Sequence, residues 1–192
     1  MRLIRAAVMV LVLPVAACGQ KPLPPAQQIA LAVLPLPMNF RAGATVLGYD
    51  NARKLVTLRP GSGSMTCLAG VPGDSVFHAA CYANTMEPFM AAGRTLRGKG
   101  VKNVDSARFA QVKAGTIKMP EQPAALWALD GPMSGVDAKA GTVTSAIKLR
   151  YSVYTPFATA ASTGLPDQPL AQGPWLMDAG TPKAHIMFTM TM

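Results

Sequence analysis

The sequence has no apolar run long enough to cross a bilayer. Its longest, Ala6 to Cys18, holds 13 apolar or small residues, and a spanning helix needs about 20. Cysteine is scarce, with three in 192 residues. No two are spaced as a C-x-x-C redox pair, and a zinc site would need more ligands at closer spacing. Charge is thin as well: 14% of residues are charged while 50% are hydrophobic, which excludes disorder throughout. No G-x-S-x-G nucleophile elbow is present, so the usual signature of an α/β-hydrolase is missing. There is no internal repeat. Acid is the scarcest charge, nine Asp and Glu against 18 Lys and Arg, and the chain carries +9.

What is present begins at the N-terminus. Arg2 and Arg5 form a positive segment, Ala6 to Leu13 an apolar one, and small residues lead into a cysteine. That is the build of an export signal rather than of a fold. The segment Val15-Ala16-Ala17-Cys18 resembles the bacterial lipobox, in which the chain is cut before the cysteine and the cysteine becomes lipidated. The expectation is a signal peptide over 1–17, a lipid anchor at Cys18, and a periplasm-facing, membrane-anchored product, at the outer membrane. Plain export with cleavage nearby is the rival. The total of +9 less Arg2 and Arg5 leaves +7 for the mature chain. In the envelope such a cation favours anionic lipid or acidic glycan, and nucleic acid is the wrong compartment.

With Cys18 assigned to the anchor, Cys67 and Cys81 remain. An even remainder in an exported domain reads as one disulfide. Residues 18–25 are proline-rich and read as a short extended tether. Residues 26–192 then make one domain. Pro25 opens a short helix with Ile29, Ala32 and Val33 on one face, stopped by Pro35 and Pro37. Strands are expected over 44–49, 54–59 and 65–68, as an antiparallel meander. Helix spacing of Tyr82, Met86, Phe89, Met90 and Gly93 predicts the main helical segment, with Cys81 in it and Asp74 or Ser75 as its cap. Pro88 either kinks that helix or opens a second one capped by Asn84 or Thr85. Strands are expected again over 113–119, 124–129, 146–154, 175–179 and 184–191, and a loop over 158–172. In 146–154, Ile147, Leu149, Tyr151 and Val153 should be buried, and Lys148, Arg150, Ser152 and Tyr154 wet. The fold class is α+β: a mostly antiparallel sheet, a short N-terminal helix, one main helical segment and one disulfide.

Two blocks add a resemblance. Leu58-Arg59-Pro60-Gly61-Ser62-Gly63-Ser64-Met65-Thr66-Cys67, with Cys81, is one. Gly173-Pro174-Trp175-Leu176-Met177-Asp178-Ala179-Gly180-Thr181-Pro182-Lys183-Ala184-His185-Ile186-Met187 is the other. Over roughly residues 26–188 the chain resembles an uncharacterised family of exported bacterial proteins, through the closing pattern G-P-W-x-M-x-A-G-T-P-x-A-H-x-M. The resemblance implies one fold and one disulfide, and it transfers no chemistry. Met65 and Asp178 stand where that family often has tryptophan, and Lys183 where it often has an aromatic ring.

Three constellations carry possible chemistry. The tail His185-Ile186-Met187-Phe188-Thr189-Met190-Thr191-Met192 holds soft ligands of the kind that bind Cu(I). On one continuous strand, however, His185 and Met187 share a face while Met190 and Met192 have the opposite parity. No metal or cofactor is therefore expected. Asp178, His185 and a serine of the 61–64 loop can be written as a hydrolase trio, although Gly61-Ser62-Gly63-Ser64 reads better as a turn. Arg94, Arg97, Lys99 and Lys102 put four cations in nine residues at a helix end. They suit either the helix dipole or an anionic surface. The reading reached is a lipid-anchored envelope protein that binds or scaffolds without catalysis, with an exported hydrolase using His185 as the alternative.

Overall fold

Eight strands form one sheet in a computed structural model that describes residues 21–189. The chain begins with helix α1 (Pro25–Ala32), opened by proline as expected, and a single helical turn α2 (Met38–Arg41). Strands β1 (Thr45–Tyr49), β2 (Leu55–Arg59), β3 (Met65–Leu68) and β4 (Val76–Ala83) follow. Helices α3 (Glu87–Gly98) and α4 (Val104–Lys113) come next, then β5 (Ala124–Pro132). A two-strand flap, β6 (Val136–Asp137) and β7 (Thr142–Val143), precedes β8 (Lys148–Tyr154). A capped turn α5 (Ala160–Thr163) interrupts the loop before β9 (Gly173–Met177) and β10 (His185–Thr189). The strand order is β2-β1-β3-β4-β5-β8-β10-β9. Every pairing is antiparallel except β1 with β3. The α+β class with a mostly antiparallel sheet is as the sequence predicts.

The first three strands are not a meander. β3 lies on the far side of β1 from β2 and runs parallel to β1. The 60–64 loop steps across the start of β1 instead of doubling back beside β2. Gly61 N–H donates to Thr45 Oγ1 at 3.1 Å, and Gly63 N–H donates to Gly43 O at 2.8 Å. A Cβ at Gly61 would stand 2.3 Å from the Gly43 carbonyl oxygen. Only glycine lets the backbones pass this closely.

The segment holding Cys81 is strand, not helix. Along β4, Phe77, Ala79 and Cys81 are buried on one face, where α1 and the flap cover them. Tyr82 points to the other face, under α3. Helix spacing from Tyr82 onward is genuine only from Met86. Pro88 sits in the first turn of α3, where a missing N–H costs nothing. Asp74, Ser75, Asn84 and Thr85 cap no helix; Asn84 instead accepts from Thr66 Oγ1 and donates to Gly63 O.

Residues 113–119 form no strand. α4 occupies 104–113, with Asn103 Oδ1 accepting from Ser106 N–H as its cap and Gly115 turning left-handed past its end. Over 146–154 the expected faces hold only at the start: Ile147 is buried and Lys148 and Arg150 are exposed, but Ser152 and Tyr154 are buried and Leu149 is 42% exposed. Helices cover the Tyr154 end of one sheet face, while the opposite face lies open beside Leu149. Each face of β8 is therefore half covered, and alternation alone could not divide it. The expected tether also docks early. Gln28 Nε2 donates to Leu23 O and Tyr49 O, and Leu23 packs beside Phe77.

Cys67 and Cys81 stand directly opposite on β3 and β4 and are bonded, both fully buried. The bond joins two strands of the sheet, not a helix to the sheet. It closes a loop of separation 14 beneath the cluster of Ala32, Val33, Leu36 and Val46. Replacing both cysteines by alanine should cost about 2–5 kcal/mol, read from urea midpoints. Non-reducing peptide mapping should recover the crosslinked pair; two alkylatable thiols in freshly isolated protein would contradict it.

Candidate functional site

The sheet face on which α3 and α4 rest is only partly covered by them. Below the helices it forms an open groove of about 230 Å³. Pairing fixes its floor. Ala80, Ala128 and Leu126, from β4 and β5, lie beside Ser152 and Arg150 of β8, and Met187 of β10 closes the row. Small side chains in the middle of a sheet leave the depression. Larger polar ones stand at its two ends.

At one end, His78 Nδ1 meets Asp130 Oδ1 at 2.5 Å across β4 and β5. Arg150 donates Nε and Nη2 to Asp130 Oδ2 at 2.8 and 2.6 Å. His78 and Arg150 are both half exposed, so this ladder is a solvated surface pair network of small stabilising value.

The other end is built by the β9–β10 turn. Asp178 is left-handed, Thr181 Oγ1 donates to Asp178 O at 2.7 Å, and Ala184 N–H donates to Thr181 O. That turn aims Lys183 between two carboxylates. Its Nζ lies 3.0 Å from Asp105 Oδ2 on α4 and 3.3 Å from Asp178 Oδ2. Asp105 also accepts from Arg108, which is 5% exposed and whose guanidinium carbon sits 3.9 Å above the Phe89 ring. Burial works against the Lys183 charge, but the two carboxylates outweigh it and its pKa is raised. Burial would likewise raise Asp105, yet the hydrogen bonds from Arg108 and Lys183 prevail and lower it. Asp178 and Lys183, two positions at which the chain departs from the pattern it resembles, thus contact each other.

His185 lies beside this cluster, 6% exposed and stacked on Tyr154 with ring centroids 4.9 Å apart. Its Nδ1 is 2.7 Å from Lys183 O. A carbonyl only accepts, so Nδ1 carries the proton and Nε2 keeps its lone pair. Burial lowers the His185 pKa and keeps the ring neutral. His185, Tyr154 and Ser152 line the groove, and Nε2, Oη and Oγ of these three hydrogen-bond to no described residue. The groove can thus offer one fixed acceptor and two hydroxyls to a ligand.

The hydrolase trio is not assembled. Ser62 and Ser64 precede β3, four strand spacings from β10, or roughly 19 Å at ~4.8 Å each. Asp178 holds Lys183, and His185 turns its N–H to a backbone carbonyl. Of the four cations at the α3 end, Arg97, Lys99 and Lys102 are exposed. Arg94 is folded back, donating to Tyr82 Oη at 2.7 Å and to Glu87 at 2.5 Å, so it belongs to the packing and not to a free basic patch. Cys18 lies outside the described residues. Among the described residues no group of three His, Cys, Asp or Glu side chains stands together as a metal site. Sequence reasoning missed Asp105, because no strong signal marks 104–112 as a helix, and Ser152 and Tyr154, because both were expected on the wet face of β8.

The depressed His185 pKa has a pH signature. Above an unfolded value of about 6.5 both states are neutral and the stabilisation is complete. Below it the unfolded chain takes up a proton that the folded ring refuses, so stability falls with pH until the folded pKa is reached. Urea midpoints should decline from pH 7.5 to 5.5 in the wild type and much less in His185→Gln. No family model matches this chain, and no curated protein or solved structure is significantly similar to it.

Proposed function

We propose that this chain is a cell-envelope lipoprotein that acts by binding, with the open groove as its ligand surface. The observation that carries the binding role is that three buried polar side chains, His185, Tyr154 and Ser152, line one small-floored groove. A fixed neutral imidazole beside two hydroxyls holds a ligand without needing to react with it. The serines of the 61–64 loop lie four strands from His185, so the trio written from the sequence lends the hydrolase reading no support.

Support for the envelope comes from the lipobox-like segment before Cys18 and from the buried disulfide, which persists in oxidising compartments. The anchored end also suits a bilayer. Lys21 and Leu23, three and five residues past Cys18, line an apolar cleft of about 90 Å³. Val71, Val76 and Met133 on the same cleft are exposed. A short tether would hold these side chains against the membrane surface.

Expressed in a Gram-negative host, the wild type should partition into detergent and carry acyl mass on its N-terminal peptide. Cys18→Ser should be soluble or unprocessed, and equal partitioning of both forms would overturn the anchor. Contact of the α3 end with anionic lipid or glycan is a separate expectation, now resting on three cations. Replacing Arg97, Lys99 and Lys102 by glutamine should abolish salt-sensitive binding of the Cys18-less domain to anionic vesicles and leave its Tm unchanged. Arg94→Gln should instead lower Tm by a few degrees, about 1 kcal/mol, because it removes the donor to Tyr82 Oη and one of the two donors to Glu87.

A further inference from the structure

The β9–β10 hairpin gathers soft ligands that no single strand could. Met177 pairs directly with His185, and Trp175 with Met187. Residues two apart on a strand share a face, so Trp175, Met177, His185 and Met187 occupy the four corners of one hairpin face. Directly paired side chains have Cβ atoms about 4.5–5.5 Å apart, and positions two apart lie about 6.8 Å from each other. A thioether on three rotatable bonds spans such gaps. Met177, His185 and Met187 all line the groove.

Core packing does not account for these methionines. Neither Met177 nor Met187 belongs to any of the three buried clusters that make up the core, and both are partly exposed to the groove. His185 is prepared as a ligand in a particular way. Its Nδ1–H is spent on a backbone carbonyl, the outer-shell bond that metal-binding histidines make, and Nε2 bears the free lone pair. Stacking on Tyr154 fixes the ring plane. The nearby charges of Lys183, Asp105 and Asp178 are already paired among themselves.

We propose that Met177, His185 and Met187 form a binding site for a soft monovalent cation, Cu(I). Two thioethers and one neutral imidazole suit Cu(I), whereas Zn(II) and Cu(II) want thiolate, more imidazole or carboxylate. Trp175, at the fourth corner, adds an aromatic ring to the same face. Only the cation binds; no electron or proton moves. The site is independent of the lipid anchor, so the fate of one reading leaves the other standing.

The test uses the full domain from Gly19 onward with Ag(I), a redox-inert soft cation, and Cu(I) supplied by a competing chelator. One equivalent of Ag(I) should bind, shifting the methyl signals of Met177 and Met187 and the ring signals of His185. Met177→Leu and Met187→Leu, which conserve volume and fold, should each weaken Cu(I) affinity by about tenfold or more. The Met190→Leu, Met192→Leu double variant and Met133→Leu should bind as the wild type does, and Zn(II) should not compete. Unchanged affinity in the Met177→Leu, Met187→Leu double variant would overturn the site. So would loss of binding on removing only the tail methionines.

Discussion

Parity across the β-ladder governs this molecule. With β4, β5, β8 and β10 locked in antiparallel register, each side chain is committed to one sheet face by its position alone, and slipping one residue would exchange the two faces. The same register sets Cys67 against Cys81, Trp127 against Tyr151, and Met177 against His185. One of these pairs became a covalent bond, one an aromatic contact of 5.3 Å, and one a wall of the groove. The two faces then met different covers. α1 and the flap took the face of Phe77, Cys81 and Leu129, while α3 and α4 took part of the face of Tyr82 and Tyr154. The groove is the part of that second face that no helix reached.

Much of the frame could be read from residue order. Proline at the start of α1, the Asp50 turn, the glycine-serine loop and the last two strands all carry local signals, and the structure has them. The failures share a physical cause. Phe77-His78-Ala79-Ala80-Cys81 alternates, yet its alanines suit a helix equally well, and only pairing on both sides by β3 and β5 decides for strand. α4 was hidden because its hydrophobic stripe is weak. Its buried side chain is Arg108, tied to Asp105 and laid on Phe89, a tertiary arrangement that no periodicity of apolar residues announces. The change of buried face along β8 follows from incomplete covering of both faces, which depends on where helices land rather than on the strand itself.

The candidate site was less legible than the fold, for a reason that concerns pairing. His185 stood out by type, and its ligand-like neighbours were sought along its own strand, where parity divides them. Its true neighbours came from elsewhere: Met177 across a hairpin, Tyr154 across the β8–β10 pairing, and Lys183 around the turn, itself held by Asp105 78 residues before it in the chain. Asp178, sought for its chemistry, holds an ion pair with Lys183, and Ser62 and Ser64 sit in the loop before β3. The trio failed on distance and not on composition.

Pairing of Asp105, Lys183 and Arg108 beside this groove has a consequence for what the groove can accept. Each charge there is already matched, with Lys183 between two carboxylates and Arg108 against Asp105. Removing one member would leave another partly buried and unpaired, at more cost than the pair contributes. The cluster therefore ties the β9–β10 turn to α4 through matched charges. Beside the paired charges of Arg150 and Lys183, the groove is lined by His185, the thioethers of Met177 and Met187, and the hydroxyls of Tyr154 and Ser152. A site of that composition discriminates by polarizability instead of charge.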